Sequence, residues 1–206
     1  MSEVQSETGA GKRSPLQWAV LGVVVLGVAA VLYVIVAASF KPHGPADLTE
    51  FKKGTLVKLD VPATPRPAPE TPITGLDGKT ATLADFKGRV VVMNLWATWC
   101  APCKAEMPTL AKLQAAYATQ PVTVLPISVD RDGDLNLVNE EMAANPPLKT
   151  YRDPSYRMSF ALEPKAGGFP TTVIYDKQGR ERARMTGPAD WSSPEAKGLI
   201  EKLLAE

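Results

Sequence analysis

The only two cysteines of this chain, Cys100 and Cys103, stand in the stretch Trp96-Ala97-Thr98-Trp99-Cys100-Ala101-Pro102-Cys103-Lys104. A near-continuous apolar run, residues 90–96, leads into them, and a helical pattern over residues 104–118 leads out. Two thiols therefore sit where a buried strand turns into a helix, and Cys-x-x-Cys in that setting reads as a redox pair. A disulfide closing so small a loop removes little chain entropy, so its value is chemical rather than structural.

Thiol exchange needs a thiolate, and only about a few per cent of free cysteine is ionised at neutral pH. A helix N-terminus aims unpaired N–H groups at Cys100. That supplies about 0.3–1 kcal/mol, and up to about 2 in favourable geometry. One pKa unit is about 1.4 kcal/mol, so the helix end can lower the thiol by up to about one unit. Cys100, in the turn, is the attacking sulfur. Cys103, in the first helical turn, is the resolving one, leaving Cys100–Cys103 oxidised. Pro102 stiffens the dipeptide between them. Lys104 adds a positive charge on a flexible stem and counts for little.

Further residues have two readings each. Glu106, one helical turn past Cys103, is either a proton carrier for the pair or a solvated acid that the helix dipole favours anyway. Asn94, the one polar residue in the apolar strand, is either a satisfied buried amide or part of the catalytic apparatus. Trp96 reads as core. Trp99, beside the nucleophile, reads as an apolar rim on which a partner protein docks. Phe169-Pro170 follows Gly167-Gly168 and precedes a strand; a trans turn is the ordinary reading and a cis bond the alternative.

The elements that must position these groups follow in order. Residues 1–15 form a short polar tail. Residues 16–40 contain an uncharged apolar run of about 21 residues, long enough to cross a bilayer. It is longer than a usual signal peptide core, so an uncleaved anchor is favoured, although Val36-Ala37-Ala38 is a passable cleavage site. Lys12 and Arg13 lie before it and Lys41, Lys52 and Lys53 after it, so charge orients it weakly. Disulfide chemistry places the bulk of the chain on the oxidising, periplasmic side of the cytoplasmic membrane. Residues 41–70 read as a proline-rich extended linker, with at most a small strand at residues 56–59.

From residue 71 the pattern is that of an α/β domain. A hairpin turns at Asp77-Gly78, and the central strand 90–96 follows. A helix interrupted by Pro108 comes next, then a strand at 122–129, parallel to the first by a right-handed crossover. Residues 130–165 form an insertion with a helix at 135–144 ended by Pro146-Pro147, a short strand at 148–151 and a helix at 155–162. Strands at 171–175 and 181–186 pair antiparallel. Ser193 caps a last helix, with Pro194 at its first position.

With 206 residues and a net charge of +1, the chain has no basic excess to suggest nucleic acid. No flavin, nicotinamide or metal site is visible, and no cofactor is expected; electrons would come from an upstream thiol reductant at the membrane. The single histidine, His43, lies outside the domain.

Residues 96–108, Trp-Ala-Thr-Trp-Cys-Ala-Pro-Cys-Lys-Ala-Glu-Met-Pro, resemble the active site of the thioredoxin superfamily, in particular its membrane-anchored TlpA and ResA branch. Leu83 to Gly88, Gly168-Phe169-Pro170-Thr171-Thr172 and Gly187-Pro188-Ala189-Asp190-Trp191 extend the resemblance, which covers residues 71–206. It implies a thioredoxin-like fold: a central mixed sheet flanked by helices, with an N-terminal β-hairpin and a central insertion tied to client choice, behind one transmembrane helix. It implies that Pro170 is cis beside the cysteines, that the backbone of Phe169 pairs with an extended client, and that Glu106 is an active-site glutamate. Asn94 stands where thioredoxin itself has a buried aspartate, so proton handling would fall to Glu106, water or another group. The branch usually reduces client cysteines for cytochrome c haem attachment or copper insertion into oxidase subunits, and the Ala-Pro dipeptide lacks the histidine of strong oxidants. Copper delivery, peroxide reduction and a redox-silent client-binding module are the rival readings. The first lacks a histidine near the thiols, and two sulfurs make an incomplete zinc site.

Overall fold

Seven consecutive residues, Val90–Trp96, are buried on both faces and form the strand β4 around which the domain is layered. The computed structural model describes residues 15–39 and 46–206. The expected N-terminal tail and His43 lie outside the described residues. The chain divides into two units, an N-terminal one containing helix α1, Pro15–Ser39, and a second from residue 45 onward. The described side chains of α1, among them Leu16, Trp18 and Tyr33, are exposed. Among the described residues no helix is long and apolar enough to cross a membrane.

The second unit is built on one mixed sheet of eight strands in the order β1-β8-β7-β4-β5-β6-β2-β3. These are β1 Arg66–Pro67, β2 Ile73–Gly75, β3 Thr80–Ala81, β4 Val90–Trp96, β5 Val122–Ser128, β6 Tyr151–Arg152, β7 Thr171–Tyr175 and β8 Arg180–Thr186. β4 and β5 are parallel, joined by α2, Ala101–Ala116. β7 runs antiparallel to β4 and β8 antiparallel to β7. The remaining helices are α3 Leu135–Ala144, α4 Arg157–Ala161 and α5 Pro194–Leu204.

The period of two along β4 sorts its side chains onto two cores. Val90, Val92 and Trp96 face a cluster built with α2 and α5, which also holds Cys100 and Cys103. Val91, Met93 and Leu95 face the other side, with Ile73, Leu83, Met158 and Leu162. Asn94 shares the parity of the first set, which turns its amide toward α2.

The expected hairpin is present as β2 and β3, with Ile73 opposite Ala81. Its turn needs Gly78, which has φ +80°, and Asp77 Oδ1 accepts the N–H of Lys79 at 3.1 Å. α5 begins as the sequence indicates: Ser193 Oγ accepts the N–H of Ala196 at 3.2 Å, and Pro194 opens the helix. The insertion is shorter in its regular parts than its pattern suggests. Its strand is residues 151–152 rather than 148–151, where it joins the sheet beside β5, and its second helix is residues 157–161 rather than 155–162. α2 continues through Pro108.

One expectation is corrected. Residues 46–70 are not an extended spacer but part of the domain. Leu48, Leu56 and Leu59 are at most 1% exposed and pack in the α2–α5 core. Residues 54–56 form a 3-10 turn, not the start of a strand. Asp60 exchanges backbone hydrogen bonds with Arg184, and β1 pairs with β8. At residue 46 the carbonyl of Ala46 accepts from Arg182 at 2.9 Å while its N–H donates to Glu206 at 2.8 Å. Three leucines in irregular backbone, of which only Leu56 lies in a 3-10 turn, carry no helical or strand period, and the prolines around them make the segment look extended although it is folded.

Emptying one of these sites should cost what a core deletion costs. Leu56→Ala is expected to destabilise the protein by about 2–5 kcal/mol in urea unfolding. A change below about 0.5 kcal/mol would mean that the segment is dispensable to the core.

Candidate active site

β4 ends at Trp96 and the chain turns through Ala97, Thr98 and Trp99 into α2. Cys100 is the N-cap of that helix, in extended conformation at φ −93° and ψ 96°. Its Sγ accepts the N–H of Cys103 at 3.3 Å, the role that a serine or aspartate oxygen plays at other helix starts. The two sulfurs are joined as a disulfide with Cα atoms 5.3 Å apart. Cys103 is fully buried and Cys100 is 5% exposed, so Cys100 is the reachable sulfur of the pair, though only narrowly. Pro102 occupies the first turn and is exposed. The ammonium of Lys104 pairs with Glu141 on α3 at 3.5 Å.

The antiparallel register of β7 on β4 places Leu95 opposite Thr171. The residues before Thr171 must then lie beside the loop that carries the cysteines. There Phe169–Pro170 is a cis peptide. The loop is held by Thr171 Oγ1, which donates to Gly168 O at 2.7 Å, and by Pro170 O, which accepts the N–H of Gly187 at 2.8 Å. The Phe169 ring meets Trp99 edge to face at 5.9 Å and Tyr156, from the insertion, at 6.0 Å. Trp99 is 60% exposed, an aromatic surface immediately beside the disulfide. Tyr156 has φ 58°, the only positive φ among the described non-glycine residues.

Glu106 is not a solvated helix-start acid. It is 2% exposed and lies beneath the disulfide helix turn, one turn past Cys103. Asn94 Nδ2 donates to its Oε1 at 2.7 Å. The N–H of Ala189 and the indole Nε1 of Trp191 donate to its Oε2 at 3.0 and 3.2 Å. Thr109 Oγ1, one turn on, donates to the Glu106 carbonyl and accepts the N–H of Trp191. Burial pushes the Glu106 carboxyl up, against the three N–H donors that pull it down, and the balance is a pKa of about 7. Asn94 is fully buried, also donates to Thr172 Oγ1 at 2.9 Å, and finds no partner for its Oδ1 among the described residues.

The structure thus brings together Cys100, Cys103, Glu106, Trp99, Pro102, Phe169 and Pro170, all of them expected from the sequence. It adds Ala189, Trp191, Thr172 and Tyr156, to which no role was assigned. Trp191 carried a usable signal, since a buried tryptophan needs an acceptor for its donor-only indole. Tyr156 carried none. Chemically the arrangement can exchange disulfides through Cys100, resolve them through Cys103, and hold or release a proton near neutral pH at Glu106.

The Glu106 proton has a stability signature. The folded protein binds it more tightly than the unfolded chain, whose carboxyl titrates near 4.5. This contribution is complete below about pH 4.5 and is lost as pH rises to about 7, a fall of about 3 kcal/mol. Urea unfolding of the oxidised protein between these values should show that decline relative to Glu106→Gln. Parallel pH dependences for the two proteins would contradict it.

Comparison with known proteins agrees with this geometry. The redoxin family profile matches residues 60–200. ResA, a thiol-disulfide oxidoreductase of Geobacillus kaustophilus, is 35% identical over 121 residues, which cover 58% of this chain and 67% of the relative. The thioredoxin-like protein YneN of Bacillus subtilis is 33% identical over 54% of this chain and 65% of its own. The solved structure of a DsbE-type thiol:disulfide interchange protein from Chlorobium tepidum superposes with a TM-score of 0.60 at 25% identity, over 70% of this chain and 98% of that one. A disulfide-bonded Cys-x-x-Cys at the head of α2, seated in this fold and matched by these relatives, makes the chain a member of the redoxin family and a ResA- and TlpA-like thiol-disulfide oxidoreductase of the thioredoxin superfamily.

Proposed function

We propose that the protein is a membrane-anchored reductant of specific protein disulfides, facing the periplasm. The observation that carries the reading is the inequality of the two sulfurs: Cys100 caps the helix at the rim beside exposed Trp99, while Cys103 is fully buried behind it. In the reduced protein the Cys100 thiolate attacks one sulfur of a client disulfide. The client's other sulfur leaves as a thiolate and takes a proton. Cys103 then loses its proton and attacks Cys100 Sγ. The second client sulfur departs, and two electrons have passed to the client while the Cys100–Cys103 disulfide forms. Glu106, with its pKa of about 7, is the nearest buried acid on the same helix to accept the Cys103 proton. An upstream thiol protein at the membrane returns the electrons.

The direction rests on the dipeptide Ala101-Pro102, which lacks the histidine of strong oxidants, and on likeness to the TlpA and ResA branch. That likeness also suggests the clients: proteins with cysteine pairs in cytochrome c maturation or copper-site assembly. Docking would use Trp99, Pro102, Phe169 and Pro170. The anchor reading rests on the sequence, on the uncharged apolar run of about 21 residues within residues 16–40.

Cys103→Ser should stall the mixed disulfide. Its expression is expected to yield adducts on Cys100 that thiol treatment reverses, and mass spectrometry would identify clients bearing cysteine pairs. No adduct with the variant, or equal adducts with Cys100→Ser, would remove the case for client reduction. Fractionation tests the anchor: the full chain should sediment with membranes and resist carbonate extraction, and a chain starting at residue 46 should not. Release of the full chain by carbonate would defeat the anchor reading.

A further inference from the structure

Asp130 is 1% exposed, and no step of the exchange above uses it. It follows the end of β5, and its carboxyl reaches across to the loop between β4 and α2. The N–H of Thr98 donates to both of its oxygens at 3.1 and 3.0 Å. Thr98 Oγ1 donates at 2.7 Å and Ser128 Oγ at 2.8 Å. All of these hydrogen bonds run toward its carboxylate; the Thr98 N–H can only donate, whereas the two hydroxyls could also accept.

The loop it holds is the one that carries the attacking sulfur. Thr98 is two residues before Cys100. At one end of the loop Trp96 O accepts the N–H of Val129, and at the other Cys100 N donates to Ala97 O. Between these ends Trp99 is 60% exposed and its ring is set against Phe169 only edge to face. Ala97 is packed in the core, but Thr98 and Trp99 are not fully buried, and at Thr98 the Asp130 carboxyl is what holds the loop. The hydrogen bond from Cys103 N–H to Cys100 Sγ depends on where this loop ends, because hydrogen bonds weaken steeply with misalignment.

We propose that Asp130 is a positioning residue for the exchange reaction: by holding Thr98 it seats Cys100 Sγ on the N-terminus of α2 and so sets the fraction of Cys100 present as thiolate. The role is geometric and works against the charge of Asp130, which by itself would oppose a neighbouring thiolate. The two effects have opposite signs, which makes them separable.

The test is the pH dependence of iodoacetamide alkylation of Cys100 in the reduced full chain, with the redox equilibrium against glutathione as a second readout. Thr98→Ala keeps the charge of Asp130 and removes one strut. It is expected to lower the thiolate fraction at pH 7 roughly two- to fivefold, the range of a helix-end interaction, and to make the couple less oxidising. Thr98→Ser returns the hydroxyl and should restore both readouts. Asp130→Ala removes every acceptor at once and should also lower the thiolate fraction. A merely structural role would reduce thermal stability and leave the alkylation profile where it is; that result overturns the proposal. So does a failure of Thr98→Ser to restore the profile, or a higher thiolate fraction in Asp130→Ala, which would assign Asp130 a field effect. Exchange by the wild-type protein with a reduced protein dithiol is the control: its absence would bring down the activity itself, whereas an unmoved profile in Thr98→Ala brings down this inference alone.

Discussion

A single hydrogen bond, from the N–H of Cys103 to the sulfur of Cys100, sets what the rest of the domain has to hold in place. For that bond to exist, a sulfur must occupy the N-cap of a helix, and the helix must begin at the edge of a rigid strand. β4 supplies the rigidity because all seven of its residues are buried between two cores. α2 supplies the donor because its first N–H groups have no partner inside the helix. Reduction exchanges the capping disulfide sulfur for a thiol or thiolate at the same atom, and the unpaired donor then favours the charged form. The fold thus places the chemistry at an atom that the backbone was already short of an acceptor to satisfy.

The same economy governs the buried acid. Glu106 joins three parts of the chain: Asn94 on β4, its own helix α2, and, from more than eighty residues on, the 187–191 loop through Ala189 and Trp191. That loop is in turn fixed to Pro170 by the Gly187 N–H. Cysteine helix and tryptophan loop therefore meet at one carboxyl group, and the cis-proline loop is joined to the tryptophan loop through Gly187. Trp99 and Phe169 close the outer side with an edge-to-face contact, leaving an aromatic surface next to the one reachable sulfur.

What was legible in the sequence was local. The central strand showed as an unbroken apolar run, the hairpin as Asp-Gly between short alternating segments, and the last helix as Ser-Pro followed by a one-sided apolar face. Cys100 and Cys103 were legible because their spacing and setting carry the chemistry by themselves. Glu106 could not be decided from its neighbours, since the donors that hold it, Ala189 and Trp191, arrive from more than eighty residues away in sequence and only the fold brings them. Residues 46–70 were misread for a related reason. Prolines are local and conspicuous, whereas the burial of Leu48, Leu56 and Leu59 follows from a core made by α2 and α5. β1 and β6, two residues each, are too short to show any period, and they exist because neighbouring edges were available to pair with.

Asn94 explains why one buried acid can work here without a second. An amide beneath the pair donates to Glu106 and Thr172 at once and adds no charge. A carboxyl in its place would stand 2.7 Å from the Glu106 oxygen, and the two would titrate as a coupled pair, one of them forced to stay protonated. The amide has its own cost, because its Oδ1 is buried with no partner among the described residues. That cost secures an orientation: the N–H₂ must face Glu106, so the amide favours the ionised acid, as do the Ala189 and Trp191 donors. Burial favours the neutral acid and is the larger influence, yet the three donors keep the result near pH 7 rather than far above it. The acid is left close to the point where taking a proton from a thiol and giving one back are both accessible, which is the condition a dithiol exchanger working at neutral pH has to meet.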